Sequence, residues 1–290
     1  MKAEPPAPRL DELYDGLARY CWLLRRLRLL RPGQGLVMHK SLAAPAPGQD
    51  GPGAGTSAIH GWLLAKANGA PEGPLLDVGC GLGGTLIDLV RLSGRFGTGL
   101  TASPFQAARA AEQVQRLGLA DTCELRVQSY EDAISGSFAL VVAIEALFHA
   151  TRLAEAMRNI AKATLPSGHL VLCEDMLVDA AAAADPRAQA LGTAWSTPEL
   201  HSVADYRSAL ATAGFELVSE HDLTAQVRPA IDSMLDAREA RLVRLLRLLP
   251  WRRARAVVFA YRGGIALERL YAAGLMSYRT LVAVRAGGSR

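Results

Sequence analysis

The apolar and polar residues of the chain follow two periods, one typical of helices and one of strands. Residues 9–31 repeat leucine and tyrosine at helical spacing and predict an amphipathic helix. From residue 74 onward, short apolar runs alternate with helical stretches of ten or more residues. The predicted strands are 74–78, 95–100, 123–128, 138–144, 169–175, 215–223 and 277–286. We therefore expect an α/β fold, a doubly wound, mostly parallel seven-stranded sheet covered on both faces.

Composition shifts divide the chain into three parts. Residues 41–58, SLAAPAPGQDGPGAGTSA, are rich in proline, glycine and alanine, which predicts a mobile loop and fits a flexible lid. Residues 1–69 would form a helical cap with this loop, and residues 70–225 the α/β core. Residues 226–290 would supply two helices, at 226–249 and 251–273, and the last strand of the sheet.

Length, cysteine usage and charge limit the functional classes. With 290 residues, half of them hydrophobic, the chain can form one large core. Its four cysteines lie far apart without CxxC spacing, so we expect no metal site, no disulfide framework and a cytoplasmic location. No apolar run approaches the roughly 18 to 20 residues of a membrane span, and the first residues contain no apolar h-region, so we expect neither export nor a membrane anchor. A net charge of +4 does not by itself indicate nucleic-acid binding.

The stretch PLLDVGCGLGGT, residues 74–85, is the leading candidate for a ligand site. It joins a predicted strand to a predicted helix at the carboxyl edge of the sheet, where open α/β sheets bind ligands. Gly79, Gly81 and Gly83 permit unusual dihedral angles and leave room for a ligand beside the helix amides. The spacing also satisfies GxGxxG through Gly84, which taken alone is compatible with a dinucleotide.

The neighbours of these glycines distinguish between ligands. The string DVGCGLGG resembles the first motif of class I S-adenosylmethionine (SAM)-dependent methyltransferases, which have a Rossmann-like fold. The resemblance implies that Gly79, Cys80, Gly81 and Gly83 lie along the methionine part of SAM and that Asp77 orders the loop.

The end of the second strand supports SAM over a dinucleotide. A dinucleotide enzyme carries an acid there for the ribose, whereas this chain has GLTASPFQ at 99–106. The longer string GLTASPFQAARA resembles a variant found in natural-product, sterol and tocopherol methyltransferases. That resemblance assigns Thr101, Ala102 and Gln106 to the cofactor.

Three further motifs follow in the order of the same family. SYEDA, residues 129–133, resembles the adenine-binding segment, with Glu131 and Asp132 as the candidates. FALVVAIEALFHA, residues 138–150, resembles the fourth-strand signature and places Glu145 beside the methionine part of SAM. ATLPSGHLVLCEDMLV, residues 163–178, resembles the element around the fifth strand. The resemblance covers about residues 70–225 through five ordered motifs.

The chemistry of methyl transfer requires few catalytic groups. SAM already carries an activated methyl group, so the protein aligns the acceptor and removes its proton where needed. His149, Glu174 and Asp175 lie at strand ends where a general base would have to be. In similar sugar and small-molecule methyltransferases a histidine and an acid occupy the places of His149 and Asp175. We therefore predict His149 as the base and Asp175 as its partner, with Glu174 as a competitor.

Segments at both ends of the chain are candidates for covering the site. LYDGLARYCW and VMHKS resemble cofactor-capping elements of the same branch, which assigns Tyr14, Tyr20 and His39 to the cofactor. The arginine-rich stretches 23–31 and 238–255 predict a solvated surface, with an anionic substrate such as a prenyl diphosphate, or an anionic partner, as the alternative. Several aromatic residues could line an acceptor chamber, namely Trp195, Trp251, Phe259, Tyr261 and Tyr271.

Together these observations predict a SAM-dependent methyltransferase of secondary metabolism. The expected acceptor is a small, largely apolar molecule methylated on oxygen or nitrogen, and a homodimer stays open. The alternatives are a C-methyltransferase of an isoprenoid or prenyl diphosphate, and a SAM-binding fold repurposed as a cyclase. A dinucleotide oxidoreductase is the third interpretation. We expect no nucleic-acid partner and no membrane partner.

Overall fold

One mixed sheet of seven strands organises the described part of the chain. The computed structural model describes Ala7 and residues 10–26, 37–227, 240–241 and 252–287. The strand order is β3-β2-β1-β4-β5-β7-β6, and β7 runs antiparallel to both of its neighbours. This confirms the predicted α/β fold with a mostly parallel sheet. The strands are β1 (Leu75–Val78), β2 (Gly97–Thr101), β3 (Cys123–Val127), β4 (Phe138–Ile144), β5 (Thr164–Leu177), β6 (Phe215–Asp222) and β7 (Met276–Arg285).

Helices pack on both faces of this sheet and above its carboxyl edge. They are α1 (Leu10–Arg26), α2 (Ala58–Lys66), α3 (Gly84–Ser93), α4 (Pro104–Arg116), α5 (Leu153–Ala163), α6 (Pro186–Trp195), α7 (Val203–Thr212) and α8 (Arg252–Ala272). The sequence prediction missed α2 and α6, because both are short and neither has the apolar stripe that marks an amphipathic helix. Of the helix expected at 226–249, all but 226–227 and 240–241 lies outside the described residues.

The core lies in two layers on either side of the central strands. Residues of α5 and α7, such as Ile160 and Tyr206, pack on one face of the sheet, while Leu63 of α2 and Leu89 of α3 pack on the other. All four residues of β1 are buried, because this strand lies between β2 and β4 and helices cover both faces of the sheet. The strand order reverses at β1, so the loops at its carboxyl end form the crevice in which such sheets bind ligands.

The proline- and glycine-rich loop before the core is irregular but anchored. The side-chain amide of Gln226 donates hydrogen bonds to the carbonyls of Ala43 (2.6 Å) and Pro52 (2.9 Å). The Gly55 amide donates to the carbonyl of Leu42 (2.9 Å), whose side chain is buried. The segment around residues 42–55 is therefore attached to the residues that follow β6, where the sequence alone predicted a mobile loop.

The two ends of the chain meet in one cap. Leu13 of α1 packs in a buried cluster with Ala256 and Phe259 of α8 and with Ala194 of α6. The three helices cover the carboxyl edge of the sheet. Among the described helices, none has both the length and the apolar character that crossing a bilayer requires.

Candidate functional site

A cavity of about 1350 Å³ lies between the carboxyl edge of the sheet and the cap. The glycine loop after β1 and the ends of β2, β4 and β5 form one wall, and α1 and α8 form the other. Ligand pockets for one drug-sized molecule measure roughly 300 to 1,000 Å³. The cavity therefore has room for a cofactor together with a second small molecule.

The glycine loop forms the floor of the cavity next to β1. Gly79 has φ +77°, and a Cβ there would lie 2.5 Å from the Cβ of Ala146. Gly81 has φ +55° and faces the cavity, where the nearest atom to an added Cβ would be the Met38 sulfur at 3.7 Å. A glycine is therefore needed at the two positions for different reasons. At Gly79 a side chain would collide with Ala146, and at Gly81 a side chain would fill space in the cavity. Of the other residues predicted here, Cys80 lines the cavity, and Asp77 and Gly83 lie behind the lining.

Asp77 is a buried acid without a full set of partners. Its Oδ2 atom has no hydrogen-bond partner among the described residues, and the residue is only 2% exposed, so that solvent does not replace the missing partner. Burial raises the pKa of Asp77 to about 7, although a hydrogen bond with the backbone of Leu86 acts in the opposite direction. The carboxyl group lies at the start of the glycine loop, and its role in ordering that loop stays a prediction.

A hydrogen-bonded turn follows β2. The Thr101 hydroxyl donates to Oε1 of Gln106 (2.7 Å) and accepts from the Ser103 amide (3.2 Å). The Ser103 hydroxyl accepts from the Gln106 amide (3.0 Å) and thereby caps the first turn of α4. These bonds fix Thr101 and Gln106 at the cavity wall together with Ala102, so all three predicted residues line the cavity.

Glu131 connects two loops at the rim of the cavity. Its carboxylate accepts hydrogen bonds from the backbone amides of Thr151 (2.7 Å) and Arg152 (3.0 Å), from the Thr151 hydroxyl and from the Arg152 guanidinium. Burial raises the pKa of Glu131, but these hydrogen bonds lower it by more, so the pKa lies below its ordinary value. Asp132, the other candidate for adenine, is exposed and is not part of the lining.

Replacing Glu131 with glutamine is expected to destabilise the fold by about 1–3 kcal/mol at neutral pH, because the charged acceptor of two backbone amides is lost. A carboxylate whose folded pKa is depressed contributes stability above its unfolded pKa of about 4.3, and this contribution is lost as the pH falls through the folded pKa. Chemical denaturation of both proteins between pH 3 and 7 measures the difference, which should shrink towards low pH. Asp132→Asn is the matched control, and an equal loss in that variant would contradict the assignment.

His149 and Tyr14 form a hydrogen-bonded pair at the end of the cavity that Phe148 and Trp195 line. The Thr197 hydroxyl donates to the Trp195 carbonyl (3.4 Å) and therefore accepts from Nδ1–H of His149 (2.9 Å). On this contact we assign the ring proton to Nδ1, so that Nε2 carries a lone pair and accepts the hydroxyl proton of Tyr14. Burial lowers the pKa of His149 to about 3, and the Lys40 charge adds to the effect. The imidazole is thus neutral over the whole physiological range.

Asp175 and Glu145 share a cation that the sequence analysis did not select. The Lys40 ammonium binds Asp175 Oδ2 and lies 3.4 Å from Glu145 Oε2. The Lys40 amide and the Tyr278 hydroxyl each donate to Glu145 Oε1 at 2.9 Å, and the Tyr271 hydroxyl donates to Asp175. Glu145 has φ +50°, an uncommon value for a residue with a side chain, and these bonds hold it there.

Glu174 lies outside the cavity. Its Oε1 accepts from the amides of Ala146 (3.0 Å) and Leu147 (2.8 Å), and Oε2 accepts from that of Phe148 (3.2 Å). The side chain is 0% exposed, and burial raises its pKa to about 8. Because Glu174 fixes the short 3₁₀ segment Leu147–His149, we expect it to position the histidine rather than to take a proton from an acceptor.

The capping residues divide between the cavity and its surroundings. His39 and Tyr14 line the cavity, whereas Tyr20 lies on α1 outside the lining. His39 donates to or accepts from His60 between their Nε2 atoms (2.8 Å), and His60 Nδ1 contacts Asp88 (2.9 Å). The segment 37–40 is therefore attached to α2 and α3. Within the described residues, no group of three or more His, Cys, Asp or Glu side chains is arranged to hold a metal ion.

The end of the cavity around His149, which we expect to hold the acceptor, is formed mainly by apolar and aromatic residues. Phe148 and Trp195 lie edge to face with ring centroids 5.7 Å apart, and both contact the imidazole of His149. Ala260, Tyr261 and Ile265 of α8 complete this wall. Of the five aromatic residues expected to line an acceptor chamber, Trp195 and Tyr261 line the cavity. Phe259 packs in the cap, and the Tyr271 hydroxyl donates to Asp175. Trp251 lies outside the described residues.

Comparison with known proteins agrees with this architecture. Residues 76–172 match the family described as Methyltransferase domain. Sterol 24-C-methyltransferase ERG6 of Saccharomyces cerevisiae is 30% identical over 177 residues, which are 59% of this chain and 46% of that protein. The 27-O-demethylrifamycin SV methyltransferase of Amycolatopsis mediterranei is 29% identical over 162 residues, 54% of this chain and 58% of that protein. The chain thus spans about half the length of the curated relatives it matches.

A solved structure with the same fold covers nearly the whole chain. Geranyl diphosphate C-methyltransferase from Streptomyces coelicolor A3(2), in complex with S-adenosyl-L-homocysteine, aligns with a TM-score of 0.69 at 19% identity. The alignment covers 97% of this chain and 99% of that one, and it shows the shared fold. The match of residues 76–172, the curated relatives and the shared fold support a SAM-dependent methyltransferase domain of the class I fold.

Proposed function

We propose that this protein transfers a methyl group from SAM to an oxygen or nitrogen atom of a small, largely apolar acceptor in secondary metabolism. The observation that carries the proposal is the pair formed by His149 and Tyr14. It places the lone pair of a neutral imidazole beside a hydroxyl group at the wall of a cavity large enough for two ligands.

The residues around the glycine loop fit the cofactor. The open space above Gly81 leaves the loop backbone accessible to the methionine part of SAM, and a side chain at this position would occupy that space. Thr101 and Gln106 are held at the end of β2, where their polar groups could serve the ribose hydroxyls. Because Glu131 is engaged by Thr151 and Arg152, we assign adenine recognition to the cavity-lining segment 128–130 instead.

The acceptor end of the cavity supplies the proton chemistry. When bound, SAM supplies an activated methyl group, so the transfer is an in-line displacement. We infer that an acceptor hydroxyl or amine takes the position of the Tyr14 hydroxyl beside Nε2 of His149. The proton released from the acceptor then moves to Nε2, while Nδ1–H stays on Thr197 and keeps the ring oriented.

Methylation on carbon is the second candidate. The name of the matched sterol enzyme describes methylation on carbon, whereas the name of the matched rifamycin enzyme gives an O-demethyl compound as its substrate. Methyl transfer to an alkene carbon leaves a carbocation, which the rings of Phe148 and Trp195 beside His149 could stabilise and from which the imidazole could remove a proton. The position of the new methyl group, determined by NMR of the product, distinguishes the two candidates.

Calorimetric titration with SAM, S-adenosylhomocysteine and NAD in parallel is the first test. We expect saturable binding of both adenosyl ligands and none of NAD, because the end of β2 lacks a ribose-binding acid. An acceptor screen with methyl-labelled SAM follows. Binding of NAD alone would refute the proposal. Turnover of a substrate without formation of S-adenosylhomocysteine would also refute it and would indicate a cyclase instead.

A further inference from the structure

The cation between Glu145 and Asp175 comes from outside the α/β core. Lys40 belongs to the segment that precedes the irregular loop, yet its ammonium group reaches the carboxyl ends of β4 and β5. Its side chain is 19% exposed, and the Asp175 side chain is 3% exposed. The Lys40 ammonium also lies 5.0 Å from the centre of the Tyr278 ring. A lysine that is this enclosed requires a negative partner, and here it has two.

Both carboxylates belong to the cavity wall on which the proposed function depends. Glu145 and Asp175 line the cavity, whereas Lys40 lies behind them. Burial raises the pKa of Asp175 above its ordinary value, and the Lys40 charge is the strongest of the influences that oppose this shift. Burial lowers the pKa of Lys40, but Asp175 and Glu145 raise it by more, so that its pKa ends above its ordinary value. The contact therefore favours the charged form of both partners.

We propose that Lys40 is a positioning residue that holds Asp175 ionised at the cavity wall and thereby sets the preference of the site for a sulfonium ligand over a neutral thioether. The inference rests on the proposed function, since SAM carries a sulfonium and its product S-adenosylhomocysteine a thioether. The two ligands share the adenosine and amino-acid groups. The effects of contacts that both ligands make cancel in the ratio of their affinities. A change in this ratio therefore reports on charge near the sulfur.

Other titratable groups face this cluster and must be separated from Asp175. Tyr271 bonds Asp175 directly, and Tyr278 bonds Glu145. His149 and His39 both interact with the Lys40 charge. Tyr14, Cys173, Glu174 and Tyr206 also interact electrostatically with one or both carboxylates.

The test is calorimetric titration of the full chain with SAM and with S-adenosylhomocysteine at several pH values from 6 to 9. In the unaltered protein we expect the affinity ratio to stay level, because Asp175 keeps its charge. In Lys40→Met, Asp175 takes up a proton at the lower pH values and releases it as the pH rises. The ratio should then increase in favour of SAM by about tenfold across this range, the change that corresponds to one pKa unit of coupling.

Matched variants identify the group that titrates. Tyr278→Phe removes a hydrogen bond to Glu145 without changing any charge, so its ratio should remain level. Lys40→Met with Asp175→Asn should abolish the pH dependence, because the carboxyl group is gone. If Lys40→Met does not yield folded protein, Asp175→Asn alone should lower the preference for SAM at every pH value by about tenfold.

Each result bears on a different claim. A level ratio in folded Lys40→Met, or an unchanged ratio in Asp175→Asn, would overturn the role of Lys40. A pH dependence that survives in the double variant would assign the titration to another neighbour and would also overturn it. Failure of the unaltered protein to bind either adenosyl ligand would instead refute the proposed function.

Discussion

Replacing His149 with alanine is expected to lower kcat for methyl transfer by about 10²- to 10⁴-fold, the range typical of the loss of a general base. The affinity for SAM should change little, because His149 lies at the acceptor end of the cavity with Phe148 and Trp195 and not at the glycine loop. Formation of S-adenosylhomocysteine in the presence of an accepted substrate measures the rate, and calorimetry measures the affinity.

His169→Ala is the matched control for loss of a histidine. His169 lies in the N-terminal half of β5 and is not part of the cavity lining. It pairs with Leu140 of β4, and its ring contacts the Ser167 carbonyl. We expect this variant to retain its rate. A His149→Ala enzyme with an unchanged kcat would reduce His149 to a structural residue that joins Tyr14 to Thr197.

The pH profile gives an independent check on the same residue. A histidine with a pKa of about 3 stays neutral as the pH falls from 8 to 5, so protonation of His149 should not reduce the rate in this range. Thr197→Val removes the partner of Nδ1–H and frees the other tautomer, and we expect it to lower kcat while leaving SAM affinity unchanged. A rate that falls with a midpoint near 6.5 would show that the imidazole is solvated in the working enzyme.

The core of the fold could be predicted because each strand carries its own signal. The central strands β1 and β4 are short apolar runs, and the glycines after β1 mark the point where the chain turns into α3. Strand β5 runs from Thr164 to Leu177 and is longer than the predicted 169–175, because Thr164 already pairs with Phe138 and the turn that contains Ser167 is part of the strand. Local sequence specifies the centre of an element more strongly than its ends.

The candidate site could be predicted only as far as it follows strand ends. Thr101, Gln106, Glu145, His149 and Asp175 lie at the carboxyl edge of the sheet and meet in one cavity. Lys40 could not be selected, since a lone lysine in an irregular segment has no periodic signal and its partners are more than 100 residues away in the chain.

The two acids at the end of β5 show a further limit. Glu174 and Asp175 are adjacent in sequence, and side chains of adjacent strand residues point to opposite faces of a sheet. One acid therefore lines the cavity while the other bonds the backbone amides of 146–148. The sequence identified both as candidates, and only the placement of the 3₁₀ segment beside Glu174 separates their roles.

Replacing Gly81 with leucine is expected to weaken SAM binding by at least about 100-fold, because the new side chain would occupy the open space above the loop backbone that the ligand needs. The substitution also places a side chain at φ +55°, which costs roughly 1–2 kcal/mol for a non-glycine residue. A control must therefore separate backbone strain from the filling of the ligand space.

Gly94→Leu provides that control. Gly94 ends α3 with φ +69°, and a Cβ there would meet no other atom within 4 Å. Both variants should lose a similar amount of stability in chemical denaturation, whereas calorimetry should show the loss of SAM binding in Gly81→Leu alone. Retained affinity in a folded Gly81→Leu protein would mean that the ligand does not approach the glycine loop. Equal loss in both variants would trace the defect to backbone strain, because the property they share is a side chain at positive φ.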